Sequence, residues 1–256
     1  MAPIHVVQKN AITIITITRP HRRNAINRET ADALRDAFLA FDTDETQKVA
    51  ILTGGDEVFC AGADLKEIEG LDIHTEEGPL GFTRLQLNKP VIAAIAGYAV
   101  AGGLEIACWC DLRIADESAI LGCFERRFGV PLVDGGTQRL PRIVGLGRAL
   151  EMILTGRAVP AQEALSWGLV NEVTPQGQHL ARAIELAQQL AQFPQICMRN
   201  DRMAVYEGLG RNLEEGLIME RDLGANTLAS GETFSGARRF AEGEGRSGRF
   251  SESKDE

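Results

Sequence analysis

Phe59-Cys60-Ala61-Gly62-Ala63-Asp64-Leu65-Lys66-Glu67 decides the fold when set beside Ala101-Gly102-Gly103-Leu104-Glu105, about forty residues later. Each is a small-residue turn behind an apolar, strand-like segment (residues 49–54 and 91–95), and each is expected to open a helix, from Asp64 and from Gly102. The first amides of a helix lack intrahelical acceptors and carry the positive end of its dipole. Glycine lets a substrate carbonyl come close to them. The Ala63 and Gly102 N–H groups therefore form a candidate oxyanion hole, since two backbone donors on one oxygen stabilise an enolate or a tetrahedral oxyanion. The competing reading is a pair of plain strand-to-helix connections.

Two carboxylates accompany these turns. Glu105 falls in the first turn of the Gly102 helix, where the dipole favours the ionised form that suits a base; a helix-capping glutamate is the alternative. Glu125, in Leu121-Gly122-Cys123-Phe124-Glu125-Arg126-Arg127-Phe128, has apolar neighbours that would raise its pKa and suit it to act as an acid. A surface ion pair with Arg126 or Arg127 is the competing reading. His5, His21, His74 and His179 form no motif with a nucleophile, and neither a metal site nor a phosphate-binding P-loop finds its spacing. His74 is expected to follow a helix and face solvent.

Working outward, residues 4–8 and 11–18 read as a hairpin turning at Lys9-Asn10, and Asn27 as the cap of a helix over 28–41. Residues 111–115 read as another buried strand. Beyond Gly135-Gly136 the pattern is mainly helical: 137–143, 148–155, 161–167, 178–192, 194–207, 213–228 and 233–242, with one strand at 169–173. Strand, glycine turn and helix alternate, which indicates a layered α/β fold. Phe193-Pro194 marks a boundary between a core at 1–193 and a helical region at 194–256. The apolar stripes of that region have no strand to pack on, so oligomerisation is expected. Ser251-Glu-Ser-Lys-Asp-Glu reads as a polar, frayed tail.

A chain of 256 residues can bury a sizeable core, and its net charge of −9 (27 Lys and Arg against 36 Asp and Glu) argues against holding nucleic acid. The first residues show no basic-then-apolar leader, and no apolar run approaches the ~20 residues that span a bilayer. Five cysteines, an odd number in apolar contexts, read as reduced and structural, so a soluble cytoplasmic protein is expected.

Taken in order, Arg19-Pro20 with Asn24-Ala25-Ile26-Asn27, residues 59–67, Lys89 to Ala99, Gly102-Gly103-Leu104-Glu105, Cys110-Asp111 and Gly135 to Pro141 resemble the crotonase (enoyl-CoA hydratase/isomerase) superfamily. The resemblance implies a crotonase-like (ClpP/crotonase) spiral of ββα units with a C-terminal helical trimerisation region, assembled as a homotrimer or a dimer of trimers. It implies an acyl-CoA thioester substrate and no separate cofactor or metal. By position, Ala63 and Gly102 match the oxyanion-hole amides, and Glu105 and Glu125 match the two glutamates of the hydratases. The implied reaction is reversible hydration of 2-trans-enoyl-CoA. Double-bond isomerisation is the alternative, and a non-catalytic CoA- or RNA-binding protein a more distant one.

CoA would lie along Arg22, Arg23 and Ala25 and the turn of Ala61, Asp64, Leu65 and Lys66. Arg22, Arg23 and Lys66 would meet its phosphates, or else are solvated surface charges. The chain departs from the hydratase pattern at Phe124, at Arg126-Arg127 and at Val133-Asp134. Asp134 is either a third titrating group or the N-cap of the next helix.

Overall fold

The computed structural model describes residues 2–245. The tail at 251–256 lies outside the described residues. The chain forms two units, Met1–Ala191 and Gln192–Glu256.

The first unit opens with a hairpin, β1 (Ile4–Lys9) and β2 (Ile12–Ile17), antiparallel with Ile4 opposite Ile17 and Lys9 opposite Ile12. Asn10 turns the chain at φ 54°, a left-handed conformation that asparagine tolerates. Asn27 caps α1 (Arg28–Thr43) by accepting the Thr30 N–H at 3.1 Å, and the buried face of α1 carries Leu34, Phe38 and Phe41. Phe38 packs against Phe82 and Trp109, with ring centroids 4.7 and 4.9 Å away.

Parallel strands then accumulate: β3 (Val49–Thr53), β4 (Val91–Ile95), β6 (Leu112–Asp116) and β9 (Glu172–Thr174) extend the hairpin into a six-stranded sheet ordered β1-β2-β3-β4-β6-β9. After β4 and again after β6 the chain steps into a second sheet, through β5 (Tyr98–Val100) and β7 (Ile120–Gly122), which is completed by β8 (Val159–Pro160). Helix α2 (Gly102–Trp109) follows β5, and α3 (Gly136–Thr155) follows β7. The two turns β4-β5-α2 and β6-β7-α3 thus each place one strand in each sheet and then a helix, the repeating unit of a ββα spiral. All residues of β3 and β4 are buried, because both faces of the large sheet are covered. Leu52, Ala93 and Ile95 face the main core, whereas Val49, Ile51 and Ile92 pack against Ala183 and Ala187 of α5 (His179–Gln192). Between β8 and β9 lies α4 (Ala161–Ser166).

Several expectations are corrected. The helix expected from Asp64 does not form; a short 3-10 turn at Ile68–Gly70 is all that follows. Side chains there outcompete the helical backbone pattern: Asp64 Oδ1 accepts the Lys66 N–H at 3.2 Å, and the Glu67 carboxylate accepts from Asn27 at 2.9 Å and Arg19 at 3.4 Å. His74 therefore follows no α-helix, although it is exposed. The strand expected at 169–173 lies at 172–174, since Leu169 and Val170 go into the core. By contrast, the helices expected at 137–143 and 148–155 both form, as the two arms of α3 on either side of a non-helical Gly145 at φ 78°.

In the second unit, α6 (Gln195–Gly208), α7 (Leu213–Ser230) and α8 (Glu232–Ala241) pack together. The Glu232 carboxylate accepts from the Ile196 and Cys197 amides at 3.1 and 2.8 Å, and so caps α6 from a neighbouring helix. Large apolar side chains remain exposed here, Val205 at 66%, Leu213 at 79% and Phe234 at 71%. No helix among the described residues is long and apolar enough to cross a membrane.

Candidate active site

The two small-residue turns meet. Cys60 bridges to Ala99, with the Cys60 N–H on Tyr98 O at 3.0 Å and the Val100 N–H on Cys60 O at 3.1 Å. From the other side, Ile26 bridges to Ala63, its N–H on Gly62 O and its carbonyl accepting the Asp64 N–H, both at 2.8 Å. These bonds use the amides on either side of Ala63, and its own N–H has no acceptor among the described residues. A methyl group built on Gly62 would stand 2.6 Å from the Gly102 nitrogen, and one on Gly102 2.8 Å from Leu80 Cδ1 and 3.2 Å from Gly62 Cα. Only glycines permit that approach. Ala101, just before α2, adopts φ 55°, ψ −129°, a conformation that L-residues avoid and that tends to cluster at functional sites. The Gly102 N–H likewise has no acceptor among the described residues.

These amides line a cavity of about 450 Å³, whose wall is mostly apolar (Leu71, Ile73, Leu80, Phe124, Phe128 and Val130 among others) and carries three carboxyl groups, Glu105, Glu125 and Asp134. Glu105 is 2% exposed, and its Oε1 accepts two amides, from Asp134 at 3.0 Å and Gly136 at 2.7 Å. Oε2 makes no hydrogen bond among the described residues. Burial pushes the Glu105 pKa up to about 8; the Gly136 and Asp134 amides only partly offset it, and the Asp134 and Glu125 charges raise it further. The helix dipole was expected to favour ionisation, and desolvation overrides it.

Glu125 sits on a 3-10 turn, Phe124–Phe128. Both its carboxyl oxygens are sealed and hydrogen-bond to no other residue, and burial raises its pKa as expected. The ion pairs read for it do not form: Arg126 donates to Ile153 O and Arg127 to Gly156 O, each at 3.0 Å, and Arg127 also stacks on the Phe124 ring at 4.1 Å. Asp134 is not the N-cap of α3; Gly135 holds that position without a side-chain bond. The Asp134 Oδ1 instead accepts the Thr83 hydroxyl at 2.5 Å and the Leu80 N–H at 3.1 Å, and burial raises its pKa.

At the rim, Ala61 N–H donates to Arg23 O at 3.1 Å, which joins the Arg22-Arg23 loop to the oxyanion turn. Arg23 and Lys66 are exposed and Arg22 is half-buried. Ala61 and Leu65 line the cavity, while Ala25 is buried and its carbonyl accepts from Arg19. Asp64 lies in the turn along which the resemblance places CoA; its carboxylate is engaged by Arg19 at 3.1 Å and by the Lys66 amide, and it holds the turn from behind. Four cysteines are buried, and burial pushes the Cys60 thiol to about 12 and that of Cys108 to about 11, as inert structural residues require.

Sequence reading missed Arg19, Leu80, Thr83 and Arg139. Arg139 donates to Asp134 O at 2.8 Å and to Thr83 O at 2.5 Å, tying the loop around Leu80 to the segment that holds Glu105. The signal for this loop was Gly78-Pro79-Leu80-Gly81, whose two glycines have φ of 91° and 93°.

A ββα spiral around a cavity with two unsatisfied amides and buried carboxyl groups defines a fold and site for acyl-transfer or enolate chemistry. Residues 7–250 match the family model described as enoyl-CoA hydratase/isomerase, and the chain belongs to that family. It is 36% identical to the enoyl-CoA hydratase of Mycobacterium tuberculosis H37Rv, whose crystal structure superposes with a TM-score of 0.90, covering 94% of this chain and 96% of that one. The enoyl-CoA hydratase EchA1 of Mycobacterium marinum gives the same score and coverage at 34% identity. Carnitinyl-CoA dehydratase of Salmonella typhi is 38% identical over 253 residues, 93% of this chain and 95% of its own length.

Proposed function

We propose that this enzyme reversibly hydrates 2-trans-enoyl-CoA thioesters to 3-hydroxyacyl-CoA. The observation that carries the reading is that two acceptor-free amides and two buried carboxyl groups, held in different ways, line one cavity. The Ala63 and Gly102 N–H groups polarise the thioester carbonyl and stabilise the enolate that forms. Glu105 takes a proton from water, which attacks Cβ, and Glu125 delivers a proton to Cα. One carboxylate and one carboxylic acid are needed, and burial raises the pKa at both positions. CoA itself lies along Arg22, Arg23 and the Ala61 to Lys66 turn, and no separate cofactor enters these steps.

Double-bond isomerisation is the second reading, and the third carboxyl group, Asp134, favours it. Incubation with a panel of enoyl-CoA thioesters and mass analysis of the products separates the two. Hydration adds one water and is lost, by roughly 100-fold or more, in both Glu105→Gln and Glu125→Gln. An unchanged mass with a moved double bond would overturn the hydratase reading. The buried free thiols suit the cytoplasm, and the exposed apolar side chains of α6–α8 suit a homotrimer or dimer of trimers.

A further inference from the structure

Asp134 is a buried carboxyl group, 3% exposed, on the wall of an otherwise mostly apolar cavity, and the proposed hydration steps do not use it. Such a group is costly to bury unless it is bonded. Half of it is: Oδ1 accepts the Thr83 hydroxyl and the Leu80 amide, from residues more than fifty positions away. Arg139 braces the same arrangement by donating to the carbonyls of Asp134 and Thr83. The side chain therefore has a fixed orientation. Oδ2 accepts nothing from the described residues and, unlike the Glu125 oxygens, is not sealed from solvent. A rigidly held acceptor on an apolar wall matches a ligand that brings a hydrogen-bond donor to that spot.

We infer that Asp134 is a specificity-determining residue that selects acyl chains bearing a hydroxyl or amino group beyond Cβ, and discriminates against plain alkyl chains. The inference rests on the acyl-CoA reading above and names the substrate class of that same cavity. Leaving a buried acceptor without its hydrogen bond separates a ligand that makes it from one that cannot by roughly 10- to 100-fold. The rejected ligand leaves the Asp134 Oδ2 desolvated and unpaired.

The test measures binding of saturated, unreactive acyl-CoA pairs of four to eight carbons, alkyl against ω-hydroxy and ω-amino, to the full-length protein by calorimetry. A functionalised member is expected to bind at least 10-fold more tightly than its alkyl partner. In Asp134→Asn the amide oxygen can keep the Thr83 and Leu80 bonds while its NH₂ faces the cavity, and the preference is expected to fall to unity or reverse. Asp134→Leu, which removes all polar atoms, is expected to favour the alkyl chain. Equal binding within each pair by the wild type, or a preference that survives Asp134→Asn, overturns the inference and leaves the acyl-CoA reading standing. If no acyl-CoA binds, that reading falls and this inference falls with it.

Discussion

Gly136→Ala separates the fold from the chemistry. Gly136 begins α3, where the backbone is helical, so alanine would by propensity alone be favoured by up to ~1 kcal/mol. The added methyl, however, would stand 2.8 Å from Glu105 Cγ and 2.9 Å from Oε1, the oxygen that accepts the Gly136 N–H at 2.7 Å. Carbon atoms pack at about 3.5–4.0 Å, so the carboxylate must retreat by about 1 Å. Displacement on that scale costs on the order of 100-fold in rate. The methyl meets only side-chain atoms of Glu105, so the backbone amides of Ala63 and Gly102 are not expected to move. The expected result is a kcat for enoyl-CoA hydration about 100-fold down, read from the loss of conjugated-thioester absorbance, with KM within roughly threefold of wild type and no large change in melting temperature. A kcat near wild type would refute the reasoning, because Glu105 would then not depend on this clamp. Parallel losses in kcat and acyl-CoA affinity would also refute it, by showing that the cavity as a whole had shifted.

Three further outcomes follow from the geometry. Glu105 ionises near 4.5 in the unfolded chain and near 8 in the folded one, so between those values the folded state holds the extra proton and stability falls as pH rises. The melting temperature of Glu105→Gln should exceed that of wild type by a margin that grows from pH 5 to pH 9; a margin independent of pH would remove the buried-carboxyl explanation. With Glu105 as the base, the rising limb of the wild-type kcat/KM profile should have its midpoint near pH 8. For the assembly, sedimentation equilibrium should report a mass of three or six chains, whereas a stable monomer would require another explanation for the exposed Leu213, Val205 and Phe234.

Local physics was legible in the chain. Asn27 capped α1 as its side-chain chemistry requires, the β1–β2 hairpin turned at Lys9-Asn10, and the breaks at Gly145 and Pro194 fell where backbone conformational limits place them. The short strands β5, β7 and β8 were not visible, because two or three residues carry too little periodicity. The helix expected at Asp64 was lost to Arg19, a partner 45 positions earlier.

The same division holds at the site. The residue types and spacing of the two turns, and the positions of Glu105 and Glu125, were set by short-range pattern and by likeness to a family. Whether burial or the helix dipole governs Glu105, whether Arg126 reaches Glu125, and where Asp134 directs its oxygens depended on packing between distant segments. Leu80 lies 54 residues from the carboxyl group it orients. Desolvation and hydrogen bonding act through space, so the directions of these pKa shifts and the polarity of the acyl cavity belong to the tertiary structure alone.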